Sequence, residues 1–98
     1  MLDPAALKLS AQRALLFSIA PSFKYIFVEV VDDALIMLAY VSSTPTQDER
    51  DLLYAACSEM CGDFVELKDS KSKVHIVVSD ADYVDLPKKL KYLVYAQA

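Results

Sequence analysis

Residues 23–42 read FKYIFVEVV-DD-ALIMLAYVS, and their reading decides the fold. Aromatic and β-branched residues dominate both halves, the composition of a strand. The pattern predicts one strand over Phe23–Val31 and a second over Ala34–Ser42, with Asp32 and Asp33 as the hairpin turn. Neither turn residue is the favoured glycine. One face of the first strand holds Tyr25, Phe27 and Glu29, and the other Ile26, Val28 and Val30. In the second strand Leu35, Met37 and Ala39 share one face, and Ile36, Leu38 and Tyr40 the other. Both faces are apolar, so alternation alone leaves the register open.

Upstream, Asp3 and Pro4 stand where an N-cap and a first helical residue belong. Good helix formers follow, and a helix is expected from Pro4 to about Ile19, with Pro21 as its stop. Leu9, Leu16 and the Ala5/Ala6 pair share one side, with Leu7, Ala11, Ala14 and Leu15 beside them. That wide stripe implies a helix packed on a sheet. Downstream, Thr46-Gln47-Asp48-Glu49 matches a capping box and opens a helix from Gln47 to about Gly62. Leu52, Leu53, Ala56, Met60 and Phe64 fall on its inner side, and Gly62 is the expected C-terminal stop. Beyond it two readings stay open. Val65–Leu67 and Lys73–Ser79 form a hairpin over Lys68–Ser72, or only the second is a strand. Asp80–Pro87 reads as an acidic loop, and Leu90–Gln97 as a final strand. The expected fold is α+β: a two-layer sandwich, order α-β-β-α-β-β, with a mostly antiparallel four-stranded sheet and two helices on one face.

The 98 residues suit a single domain spanning 1–98. An apolar share of 55% excludes disorder. Fourteen acids against ten bases give a net charge of −4, which disfavours nucleic acid as a partner. The single glycine leaves no Gly-rich phosphate loop, and no cofactor is expected. The apolar run Tyr25–Ser43 is broken by Glu29, Asp32 and Asp33, so no membrane span is expected. Asp3 and Pro4 sit where a secretory signal would carry basic residues, and a cytoplasmic location follows as the expectation.

Cys57 and Cys61, at i, i+4 on the second helix, share a side. A zinc site needs two further ligands, and His75 is the only histidine, so two small core residues are expected and no metal. His75 has no local nucleophile or triad signature and reads as a half-exposed strand residue facing the side of Val77. No catalytic residue is assigned. Charge distribution says more. Between Thr46 and Glu66 stand six acids and one base, Arg50. Asp48, Asp51, Ala55, Glu59 and Asp63 step by three or four residues and form one helical face opposite the apolar one. Such a stripe reads either as an ordinary solvated face or, because lysine is not interleaved, as a surface that steers a basic partner. Asp48, Asp51, Glu59 and Asp63 are therefore candidate partner-binding residues. Asp80, Asp82 and Asp85 add a second acidic patch. If the helices cover one sheet face, Tyr25, Phe27, Tyr92 and Tyr40 either line the open face or point into the core. Tyr25 and Phe27 are the candidate anchors.

The run Ser10-Ala11-Gln12-Arg13-Ala14-Leu15-Leu16, a proline soon after and the hairpin that follows resemble a group of small bacterial proteins. These are immunity proteins of contact-dependent growth inhibition and related polymorphic toxin systems. The resemblance extends to Gly62-Asp63-Phe64 and Val94-Tyr95. Tyr40-Val41-Ser42-Ser43 stands where the family pattern has an aromatic-Asp-Gly turn. The resemblance implies a protein that neutralises a toxin by binding it, without catalysis. Toxin domains that cut nucleic acid are basic, which agrees with the acidic stripe. The alternative reading is a small homodimeric structural protein that buries its open sheet face against a second copy.

Overall fold

The computed structural model describes residues 3–16 and 18–97. Its elements are helix α1 (Pro4–Leu15), strands β1 (Phe23–Val31) and β2 (Ala34–Val41), helix α2 (Gln47–Asp63), and strands β3 (Lys73–Val78) and β4 (Tyr92–Ala96). Two short 3₁₀ turns, Asp69–Lys71 and Tyr83–Asp85, interrupt the expected order. The sheet is four-stranded, in the order β3-β2-β1-β4.

The hairpin forms as its sequence requires. Val31 pairs with Ala34, and Asp32 turns the chain at φ +58°, in the left-handed region that aspartate tolerates better than most residues. The turn is pinned from outside: Lys68 N–H donates to the Asp33 carbonyl, and Lys71 Nζ reaches Asp33 Oδ1 at 3.2 Å.

The rest of the sheet departs from the expectation that hairpins join all strands. β3 runs parallel to β2, with Ile36 opposite Lys73 and Val41 opposite Val78. Only β1–β2 and β1–β4 are antiparallel, so the sheet is mixed. The physical reason is α2. A helix between two strands is the connection that parallel neighbours need. Val65–Leu67 is accordingly a turn, not a strand, and Leu67 is buried beneath it.

Both helices lie on one sheet face. Leu7, Ala11, Ala14 and Leu15 of α1 meet Leu53, Ala56, Cys57, Met60 and Cys61 of α2 in one core. Ile26, Val28, Leu35, Met37 and Ala39 form its floor. Each fully buried Leu- or Met-sized side chain contributes about 1.5–3 kcal/mol. The wide stripe expected on α1 is split, however. Leu9 and Leu16 are 56% and 68% exposed, while Ser10 is buried at 2%. α1 also ends a turn early, at Leu15. Leu16 N–H bonds back to Arg13 O and Ser18 N–H to Leu15 O, which tightens the exit ahead of Pro21. Phe17, part of the predicted helix end, lies outside the described residues. Gly62 is not a left-handed stop; it stays helical, and the chain turns extended at Phe64.

The far face is not open. β3 and β4 occupy opposite edges of the sheet, so residues 79–91 must cross from one to the other. This strap seals Phe27, Leu38 and Tyr40 beneath Leu86, with Ala81 and Leu90 packed alongside. Tyr40 Oη donates to the Lys88 carbonyl at 2.7 Å and accepts from Lys88 N–H at 3.2 Å. Lys24 Nζ donates to Ala81 O, and Glu29 Oε1 accepts from Lys91 N–H.

The capping box forms as read: Thr46 Oγ1 accepts from Glu49 N–H, and Glu49 Oε1 accepts from Thr46 N–H. Glu49 Oε2 also accepts from the Ser22 hydroxyl at 3.2 Å, tying the start of α2 to the start of β1. Thr46→Ala should destabilise the fold by about 1 kcal/mol. Urea unfolding would show this as a lower midpoint at unchanged slope.

Candidate partner-binding surface

α2 positions the acidic face. Its inner side is fixed by Leu53, Ala56, Cys57, Met60 and Cys61, which leaves Asp48, Asp51 and Glu59 on the outside, all exposed. Gln47 Nε2 donates to Asp51 Oδ1 at 2.8 Å and orients that carboxylate. Among the described residues, none of these three acids forms an ion pair. Their charge is neither buried nor neutralised at contact range. Tyr54 stands three residues after Asp51 and is 49% exposed. The inner-side reading did not extend to it. Its signal was its place directly after inward-facing Leu53, at a helix angle that carries it toward solvent.

Asp63 departs from the row. It accepts from the buried Ser10 hydroxyl at 2.6 Å and from Arg13 Nη2 at 3.1 Å, both on α1. The Ser10 bond first, and then the Arg13 guanidinium, hold its carboxyl below the usual range. α2 carries no basic residue in its last turn, so an acid there opposes the helix dipole. Arg13 compensates from outside. Asp63 thus joins the two helices while staying exposed at the end of the row. The sequence held the clue: Asp63 lies seven residues after buried Ala56, two turns along the same row.

Of the aromatic candidates, Phe27 is internal and Tyr25 only partly so. Phe27 is 1% exposed and stacks on Tyr83 of the strap, ring centroids 6.1 Å apart. Tyr25 is half-buried, with its ring edge-on to Tyr83 at 5.8 Å. Tyr40 is buried, and Tyr92 packs on the helix side, with Lys8 and Lys91 over its ring. Phe27 and Tyr40 are therefore core residues, because the strap covers the face they line. Asp80, Asp82 and Asp85 are exposed on that strap, across the sheet from α2 and followed along the chain by Lys88, Lys89 and Lys91. They are not an extension of the α2 face. His75 is exposed on the strap side with Val77.

Cys57 and Cys61 are free and buried. Burial pushes the Cys57 thiol up to about 11, against a partial pull from the Ser72 hydroxyl and with a further push from Cys61. Burial likewise raises Cys61. Among the described residues no group of three or more His, Cys, Asp or Glu side chains is placed to hold a metal. A cavity of about 480 Å³ opens between the start of α1, the hairpin tip and Leu67. Leu7, Val30 and Tyr92 line it, with Asp32, Asp33, Glu66 and Lys91. Lys71 already engages Asp33 and lowers its carboxyl.

Fold and surface together define the class: a small acidic α+β protein that presents a charged helix face. The sequence pattern of one family, described as MafI2 immunity protein, matches residues 4–98. The chain belongs to that family, in agreement with the resemblance carried by Ser10–Leu16 and the hairpin. The family implies a protein toxin as the partner. A comparison with curated proteins finds no match. Among the described residues no helix is long and apolar enough to cross a membrane.

Two outcomes follow from the geometry. Asp63→Ala strands the buried Ser10 hydroxyl and should cost about 1–3 kcal/mol. Ser10→Ala combined with it should cost less than the sum of the two, as a denaturation double-mutant cycle would show. The cysteines should resist aromatic disulfide reagents near neutral pH and react on unfolding. Native Cys57 stays protonated past the unfolded thiol's value of about 9. Its contribution to stability is complete below that pH and lost as pH rises toward about 11. Thermal melts across that window should fall accordingly.

Proposed function

We propose that this chain is a cytoplasmic, non-catalytic immunity protein that neutralises a basic toxin domain by binding it, within a contact-dependent or related polymorphic toxin system. The carrying observation is the row Asp48, Asp51 and Glu59, exposed and without ion-pair partners among the described residues, on a chain of net charge −4. Family membership supplies the kind of partner, and the row supplies its sign.

The row acts mainly on encounter. Exposed like charges raise the association rate of an oppositely charged partner, and salt screens them. Tyr54, beside Asp51, supplies the aromatic contact that slows release. Phe27 has no part in this reading, and Tyr25 offers at most its outer edge. Asp63 contributes by holding α2 against α1.

Reversing Asp51 and Glu59 together to Lys should slow association with the cognate toxin about tenfold or more at low salt. Added salt should erase most of the difference. Tyr54→Ala should raise the dissociation rate and leave association nearly unchanged. Surface plasmon resonance across a salt series reads both. An association rate indifferent to the reversals and to salt overturns the proposal.

A further inference from the structure

β3 is an edge strand with an unguarded outer side. Ser79 N–H donates to Val41 O at 2.9 Å, extending the parallel ladder with β2. Backbone groups alternate in direction along a strand. Ser79, Val77, His75 and Lys73 therefore turn theirs toward β2, and Val74, Ile76 and Val78 present theirs outward. The elements packed on β3 are β2 along its inner side and α2 across one face. The strap lies over the other face, where Pro87, Lys88 and Leu90 approach His75 and Val77. Among the described residues nothing pairs with the outer side. Protected edges carry proline, a bulge or several charges. This one has no proline, no register shift and a single lysine, Lys73, at its start. Val77 and Val78 are both exposed.

The charges flanking β3 state what fits there. Lys68, Lys71 and Lys73 lead into the strand, and Asp80 and Asp82 lead out of it. Lys71 is engaged with Asp33, which leaves Lys68 and, on the strand itself, Lys73 at the basic end. We infer that the outer side of β3 pairs antiparallel with β3 of a second copy, about a twofold axis at Ile76, so that one sheet runs through both molecules. That register sets Ile76 against Ile76 and Val74 against Val78 of the second copy. All of these are residues with outward backbone groups, and each pair exchanges both N–H···O bonds. His75 falls opposite Val77, and no like charges meet. Lys73 stands opposite Ser79 and next to Asp80 of the second copy, and the symmetry makes this contact twice. A strand of uniformly basic character would match only one end. The inference is independent of toxin binding, which uses the outer face of α2.

Sedimentation velocity over a micromolar concentration series tests it. A reversible monomer–dimer equilibrium is expected. Val78→Pro removes an outward N–H that the ladder does not use, so the fold should persist by circular dichroism while the dimer is lost. Val77→Lys, at an exposed position on the strap side, should also give a monomer and serves if the proline variant does not fold. Lys73→Glu and Asp80→Lys should each weaken the dimer about five- to tenfold, and the two together should restore it. A wild-type chain that is monomeric throughout overturns the inference. So does a dimer indifferent to Val78→Pro, Val77→Lys and the charge reversals. A monomer whose toxin binding fails in Val78→Pro also overturns it and assigns the edge to a strand of the toxin.

Discussion

The parallel pairing of β2 with β3 is the constraint on which the rest of the structure depends. Parallel neighbours cannot be joined by a tight turn, so the chain spends Gln47–Asp63 on a crossover helix. β3 then takes the edge beside β2, and the remaining place beside β1 falls to β4. The link between these edges has to traverse the sheet. One pairing choice thus produces the acidic helix on one face and the strap on the other. It also explains why Phe27 of β1 is internal although no helix covers it.

Local chemistry was legible in the sequence where a local cause fixes it. Phe23–Val31 is legible to the residue because aromatic and β-branched residues fill seven of its nine positions and end at a two-aspartate turn. Thr46 and Glu49 announced their helix through reciprocal capping, which depends on spacing alone. Pairings between distant segments were not legible. Nothing in Lys73–Val78 by itself says parallel; the clue was the helix that precedes it. Residues 79–91 look like an ordinary acidic loop until their end points are known. Only then does Leu86 become a plug and Tyr83 a cover for Phe27.

The candidate surface divides along the same line. Asp48, Asp51 and Glu59 follow from helical periodicity, which needs only the helix to be right. Asp63 obeys that periodicity too, yet it lies on the border that α1 approaches. There, a buried serine and an arginine fifty residues upstream decide its role. Carboxylates on one row of one helix therefore serve different ends, set by what the neighbouring helix brings. The family match adds the nature of the partner, which no amount of local reading supplies.

Tyr40 holds the strap by its main chain. Its phenol both gives to and receives from the peptide groups of Lys88, and the lysine side chain takes no part in either bond. A tether to backbone is blind to residue identity. Outside Ala81, Tyr83, Leu86 and Leu90, the crossing segment can exchange side chains while its path stays the same. The molecule thereby carries a stretch of surface whose chemistry can be rewritten at little cost to folding.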